Sequence, residues 1–214
     1  YQTPSTDSFH LKKEKIRTYE INAIYTPLKK MSLQVNGFRN ELTDVIFLGN
    51  LSGFTPDKNP GSISINGVEG IINVDFTSAL SAFANFTFQD AEGKNLVTHS
   101  SGKLPGVAQV KGNLGATLHL ADALIISLTG NWVGERQVPP KDPYGPVKGY
   151  FLTNLAISTP ALFGNTVSAS ITIRNLLNVK WLDPGFRTAD GFLYSTVLEQ
   201  PGVNGLFKIS VNLP

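Results

Sequence analysis

The residues able to do chemistry are few and scattered. The 214-residue chain has three histidines, His10, His99 and His119, and no cysteine. None of the histidines stands in a His-x-x-x-His pattern, the spacing that puts two imidazoles on one helix face for a metal ion. His119 falls on the polar side of an alternating segment and reads as a wetted wall residue, not a ligand. No pair of carboxylates is placed for acid–base work. Ser100-Ser101-Gly102 is loop composition, since the Gly-x-Ser-x-Gly turn of a strained nucleophile is absent. Asn50-Leu-Ser52 and Asn85-Phe-Thr87 match a glycosylation pattern that is common by chance, and Asn85 falls inside a predicted strand. Neither an enzyme nor a cofactor is expected. What remains is a set of cations and aromatics in or directly beside two long polar connections: Arg136, Lys141, Tyr144, Trp181, Phe186, Arg187 and Tyr194. Guanidinium groups and aromatic faces suit an anionic, aromatic ligand through charge-assisted hydrogen bonds and cation–π contact. The same residue types also suit plain loop packing, and both readings stand at this point.

The elements that must position them are strands. Period-2 alternation recurs along the chain and helical periodicity is absent. In 108–120, Val110, Gly112, Leu114, Ala116, Leu118 and Leu120 share one face, and Gln109, Lys111, Asn113, Gly115, Thr117 and His119 share the other. After a turn of about three residues, Leu124, Ile126, Leu128, Gly130 and Trp132 oppose Ser127, Thr129 and Asn131. Similar patterns predict strands over 16–25, 31–47, 62–76, 80–89, 149–159, 165–177 and 205–213. Within 31–47 the pattern slips near Gly37-Phe38, which suggests a bulge. Connections alternate in length: 27–30, 77–79, 121–123 and 160–164 are short, whereas 48–61, 90–107, 137–148 and 179–204 are long. Short turns therefore gather at one end of the sheet and Gly/Pro/Asn-rich loops at the other.

Bulk properties narrow the class. The formal net charge is +2 and charged residues make up 16% of the chain, so nothing electrostatic points to nucleic acid. No run approaches the ~18 apolar residues of a membrane helix. Without cysteine the redox compartment stays open. The start, YQTPSTDSFHLKKEK, lacks the apolar stretch of a signal peptide, so a secreted form would be a mature chain or a fragment.

Alternation of this length has two physical solutions. Ten residues at ~3.3 Å rise, tilted by ~45°, span ~23 Å of height, close to the ~25 Å apolar band of an outer-membrane barrel. A β-sandwich alternates too, but it buries the apolar side in a dry core. The polar side here carries Glu20, Gln34, Lys111, Asn113, Thr117, Ser170, Arg174, Lys208 and Asn212, with few large apolar residues, as suits a wet or plugged interior. Tyr19, Tyr25, Phe86, Phe88, Trp132, Tyr150, Phe151 and Trp181 lie near predicted strand ends, where aromatic girdles sit in membranes.

Five motifs in order sharpen this reading. Leu11-Lys-Lys-Glu-Lys-Ile-Arg-Thr-Tyr-Glu20 resembles the LKPEK…TYE start of a mid-barrel strand in TonB-dependent outer-membrane receptors, with Lys13 replacing the usual proline. Asn36-Gly-Phe38 through Asp44-Val-Ile46, and Asn66-Gly-Val-Glu69, resemble two further strands of that family. Ile173-Arg-Asn-Leu-Leu-Asn178 with Trp181 and Asp183-Pro184 resembles its signature before the last long loop, and Gln200-Pro-Gly202 resembles the approach to its final strand. The resemblance implies an all-β, antiparallel transmembrane barrel. Residues 1–214 would be roughly the last nine strands of about 22, without the plug domain and first barrel half, and with 1–14 as an extracellular loop.

By the same resemblance the chain would lie in the outer membrane of a Gram-negative bacterium. It would act in energy-coupled uptake of a ferric siderophore or other metal chelate. Expected partners are the lipid bilayer, the remaining barrel strands, the chelate, and the TonB complex acting through the absent plug. Leu213-Pro214 replaces the family's terminal aromatic. Nine strands alone would leave edges unpaired in lipid, so the chain is expected either to join further strands or to close as a different barrel. The rivals are a smaller outer-membrane pore or adhesin barrel and a soluble β-sandwich carbohydrate-binding module.

Overall fold

The computed structural model describes residues 13–45, 61–95, 101–121, 123–138, 145–162, 166–185 and 197–211. Its strands are β1 (Lys15–Leu28), β2 (Met31–Val45), β3 (Gly61–Asp75), β4 (Leu80–Asn95), β5 (Ser101–Lys103), β6 (Val110–Leu120), β7 (Leu124–Val133), β8 (Tyr150–Leu162), β9 (Val167–Arg174), β10 (Leu182–Pro184), β11 (Val197–Glu199) and β12 (Asn204–Val211). Nine of them form one antiparallel path in the order β1-β2-β3-β4-β6-β7-β8-β9-β12. The short β5 adds to β4, and β10 and β11 pair as a separate hairpin. The short and long connections fall at opposite ends of the path, as the sequence predicts.

Register carries one apolar face across the whole sheet. Tyr25 pairs with Leu33, Leu33 with Ile72, Ile72 with Ala84, and Ala84 with Leu114. The row continues one step on through Leu128–Leu155, Leu155–Ile173 and Ile171–Phe207. Among the described residues no second layer covers these side chains: Ile21 is 77% exposed, Leu114 53% and Phe207 64%. Among the described residues only Val45, Ala91, Ala108 and Val147 are buried apolar residues. A sandwich would bury the greasy faces against each other. A sheet that turns them all outward has hydrocarbon as its solvent, and the soluble sandwich is excluded.

The opposite face is polar and partly self-satisfied. Asn131 donates to Asn113 at 2.5 Å and Asn113 to Asn85 at 3.0 Å, a three-strand amide ladder. Thr117 and Ser127 hydroxyls meet at 3.0 Å. This face is less purely polar than its composition suggests. Phe38 lies opposite Gly67, and Phe83 opposite Gly115, with the rings over the glycines, where a Cβ would clash with the aromatic carbons. On the lipid face Phe86 covers Gly70 in the same way. An aromatic ring shields a cross-strand backbone that glycine leaves bare.

Several expectations are corrected. The register runs unbroken through Gly37-Phe38; the shift is at Thr43/Val45, where Asp44 has φ 59°. The apparent slip near Gly37 marks the edge of the lipid band, beyond which the outward face turns charged. There Arg39 and Glu41 of β2 and Asp90, Glu92 and Lys94 of β4 point outward, while Leu42, Ile63, Ile65 and Ala91 point inward. This inversion also hid the last part of β4, which reaches Asn95 and not Gln89. Phe86, Phe88, Trp132 and Phe151 do form an aromatic edge on the lipid face. Tyr150 and Trp181 do not belong to it: Tyr150 starts β8 on the polar face, and Trp181 lies in the last loop.

Candidate functional site

Of the seven loop residues singled out by type, Arg136 and Trp181 are described; Lys141, Tyr144, Phe186, Arg187 and Tyr194 lie outside the described residues. Arg136 follows β7 after two residues. Its backbone exchanges hydrogen bonds with Val147 at 3.0 and 2.9 Å and forms a bridge with Ala108, tying three connections together. Its side chain is only 5% exposed. One guanidinium nitrogen donates to the Asp183 carboxylate. The other donates to the Leu182 carbonyl at 2.8 Å and the Lys148 carbonyl at 3.3 Å. The guanidinium carbon lies 5.0 Å from the centre of the Tyr150 ring, and that ring meets Trp181 at 4.4 Å and 50°. Of the guanidinium nitrogens, Nε has no partner among the described residues. The planar fork of arginine thus binds one carboxylate and two carbonyls of neighbouring loops, a task lysine's point charge does poorly.

A second knot lies below it. Asn175 is 3% exposed and has φ 50°, a left-handed turn that asparagine tolerates better than other side-chain-bearing residues. Its amide oxygen accepts from the Val179 backbone at 2.8 Å, and its amide nitrogen donates to the Val179 and Pro201 carbonyls at 2.9 and 3.4 Å. Its own backbone N–H donates to the Asn154 side chain at 3.0 Å. Asn178, also left-handed at φ 50°, accepts from the Val203 N–H at 3.0 Å. A Cβ on Gly202 would stand 2.5 Å from that Asn178 oxygen, so a side chain there would push the Asn178 amide away from its bond to Val203. The Trp181 indole N–H donates to the Pro201 carbonyl at 3.3 Å. The Asn-Leu-Leu-Asn stretch therefore clasps both feet of the last long loop and starts β12 in register, Asn204 opposite Arg174.

Beside the knots a cleft of ≈ 380 Å³ is lined by Val147, Lys148, Lys180, Trp181, Leu182 and Val197, among others. Its two lysines and one indole are the described groups best placed to meet an anionic or aromatic molecule. Sequence reasoning missed Lys148 and Lys180, although both lie within the long connections. It also missed Tyr150, Asp183, Asn154 and Asn175, which hold the cleft in shape. His119 lies at the other end of the sheet, its backbone N–H donating to the Ala79 carbonyl at 2.7 Å beside the short turns.

Comparisons with known proteins agree with this geometry. A family model described as TonB dependent receptor-like, beta-barrel, matches residues 1–176. A search of curated proteins gave no match. Among solved structures, the chain is similar to the ferric-catecholate import receptor Fiu of E. coli K12, at 17% identity and TM-score 0.70, over 98% of this chain and 29% of that one. It is similar to the ferric yersiniabactin uptake receptor FyuA of Yersinia pestis at 19% identity and TM-score 0.69, over 92% and 29%. It is also similar to the ferric citrate transporter FecA at 14% and 0.74, over 92% and 30%. The chain thus spans less than a third of the length of these structures. With its lipid-facing band, polar inner face and family match, the chain belongs to the TonB-dependent receptor β-barrels of the Gram-negative outer membrane.

Proposed function

We propose that residues 1–214 form the C-terminal wall of a larger receptor barrel that takes up a metal chelate, such as a ferric siderophore, with energy from the TonB complex. The observation that carries this is the single sheet with lipid on one side and an amide-lined lumen on the other, in a family of such receptors. An isolated sheet of this kind exposes both edges, so β1 and β12 are read as pairing with further strands of the same protein. Ligand contacts are assigned to the upper lumen: Trp181 with the cleft lysines Lys148 and Lys180, and the loop candidates Lys141, Tyr144, Phe186, Arg187 and Tyr194. Arg136 is assigned a holding role for these loops. The similar structures named for ferric catecholate, yersiniabactin and citrate receptors favour an iron chelate. The test is growth of an iron-starved strain, with and without the gene, on a panel of ferric chelates. Chelate-specific growth that disappears when TonB is deleted is expected. Growth independent of TonB would replace this reading with a passive pore.

A further inference from the structure

The lipid face carries a groove that its own side chains leave open. Among the described residues of β2–β8, Gly37, Gly70, Gly112 and Gly130 stand on that face. Three are covered from a neighbouring strand: Gly37 by Ile21, Gly70 by the Phe86 ring and Gly130 by the Phe151 ring. Gly112 has no such cover. A Cβ there would meet the Asn85 carbonyl at 2.9 Å but no ring, because Phe86, its register partner, leans the other way over Gly70. The gap widens into a groove of ≈ 460 Å³ with an almost wholly apolar lining, Ala84 and Gly112 at its low points and Leu33, Phe86, Leu114 and Trp132 around them. Phe86 and Trp132 belong to the aromatic edge on the side of the long loops, so the groove opens into the outer leaflet. A gap in a packed wall forfeits dispersion contacts until atoms fill it. This one is continuous with the lipid-facing band, where the filler at hand is an acyl chain.

Beyond the edge, the same face of β1 and β2 becomes cationic. Arg39 shares Glu41 at 2.7 Å, and Arg17, opposite Glu41 in register, forms no ion pair with another described residue. Val35, in the groove wall, and Arg39 lie four residues apart on one face of β2. That is roughly 13 Å along the strand, within the ~15 Å depth of one leaflet's hydrocarbon. We propose that the groove and the two arginines form one site for a phosphorylated, multi-chain lipid of the outer leaflet. One acyl chain lies against Ala84 and Gly112 between Phe86 and Trp132, and a phosphate meets Arg17 and Arg39, whose planar forks suit its oxygens. The inference uses the outer-membrane placement of the sheet and does not depend on what the receptor carries.

The test is native mass spectrometry of the full-length receptor in mild detergent, titrated with purified lipid A, with dephosphorylated lipid A, and with phosphatidylethanolamine. One lipid A should stay bound per receptor. Ala84→Phe fills the groove with a side chain that lipid tolerates, and the Arg17→Gln/Arg39→Gln pair removes the phosphate partners. Each should weaken retention of lipid A by roughly tenfold. Dephosphorylation should cost the wild type as much as losing both arginines does, and should cost the arginine variant nothing further. Undiminished retention by Ala84→Phe would mean that no chain lies in the groove, and would overturn the proposal. Equal retention of phosphatidylethanolamine by the wild type would mean ordinary bilayer contact, with the same consequence. The faster migration of folded barrels in unheated detergent gels checks folding. Should Ala84→Phe fail that check, Ala84→Leu carries the same predicted direction. Because neither chelate nor TonB enters this assay, a failed uptake experiment leaves its result standing.

Discussion

The β1–β4 half and the β6–β12 half solve the rim of the barrel in different ways. Strands β2, β3 and β4 have 15, 15 and 16 residues and run on past the lipid band as a free-standing wall. Strands β6, β7, β9 and β12 have 11, 10, 8 and 8, and stop near the aromatic edge. The first half extends by backbone ladder hydrogen bonds, with an outward surface that changes from Val35 and Phe88 to Arg39, Glu41, Asp90 and Glu92. The second half closes its rim with buried side chains, Arg136 and Asn175, that hold loop backbones in place of a ladder. Regular pairing tolerates many sequences, whereas a knot depends on particular atoms. The two halves should therefore differ sharply in their response to single substitutions.

The largest expected effect tests where the lipid band ends. Leu114 lies mid-band on the lipid face, and Asn66 lies on the same face beyond its edge. Leu114→Arg should cost about 2–4 kcal/mol, while Asn66→Arg should cost about 0–1 kcal/mol. Urea titrations of the full-length protein in phospholipid vesicles, followed by tryptophan fluorescence, read both. Equal costs would erase the border drawn between the ladder wall and the membrane.

Asn175→Ala should follow at about 3 kcal/mol, combining unmet buried backbone groups at Val179 with a left-handed residue that has lost its stabilising amide. Asn175→Gly should restore about 1 kcal/mol of this, because glycine accepts the positive φ. Asn113→Ala, in the exposed amide ladder, should cost no more than about 1 kcal/mol, since water replaces its partners. The same residue type is thus critical in the knot and replaceable in the wall, and the same unfolding titration separates the two.

This contrast also explains what the sequence could tell. The nine long strands were legible because lipid imposes a strict period of two, and Val110 to Leu120 could be read face by face. Where β4 leaves the lipid, the outward residues become Asp90, Glu92 and Lys94, the apolar alternation stops, and the strand appears to end early. The bulge was misplaced to Gly37 for the same reason, while its true position, Asp44, carries no glycine to announce it. At the rim, residue type failed as a guide. Arg136 has the chemistry of a ligand contact, yet its donors go to Asp183, Leu182 and Lys148, positions up to 47 residues away. Nothing local marks such a long-range contact, and an asparagine clasp such as Asn175 looks like ordinary turn composition until Val179 and Pro201 are seen around it.

Arg136→Ala should rank third. Stripping one partner from a fully buried ion pair costs about 3–5 kcal/mol, but the Asp183 side chain is 37% exposed, so about 2 kcal/mol is expected. Limited proteolysis of the full-length receptor should then cut within 175–203 faster, and Arg136→Lys should recover less than half of the protection because it lacks the fork. Chelate uptake that falls while cleavage stays unchanged would move Arg136 from holding the loops to touching the ligand.

The smallest effect belongs to the free-standing wall. Lys103 on β5 reaches Asp90 at 2.5 Å and Glu92 at 2.9 Å, and these hydrogen bonds raise its pKa above the ordinary 10.5. A raised lysine pKa means the folded state holds the proton more tightly. Its contribution is therefore complete below that ordinary value and is lost only as the pH climbs through the higher folded value. Between pH 7 and 9 the contribution of Lys103 should not change. All three groups are open to solvent, so screening keeps the contribution small: Lys103→Met should alter subtilisin cleavage near 101–104 by less than about twofold. A response as large as that of Arg136→Ala would mean that side chains, and not ladder pairing, also hold up the β1–β4 wall.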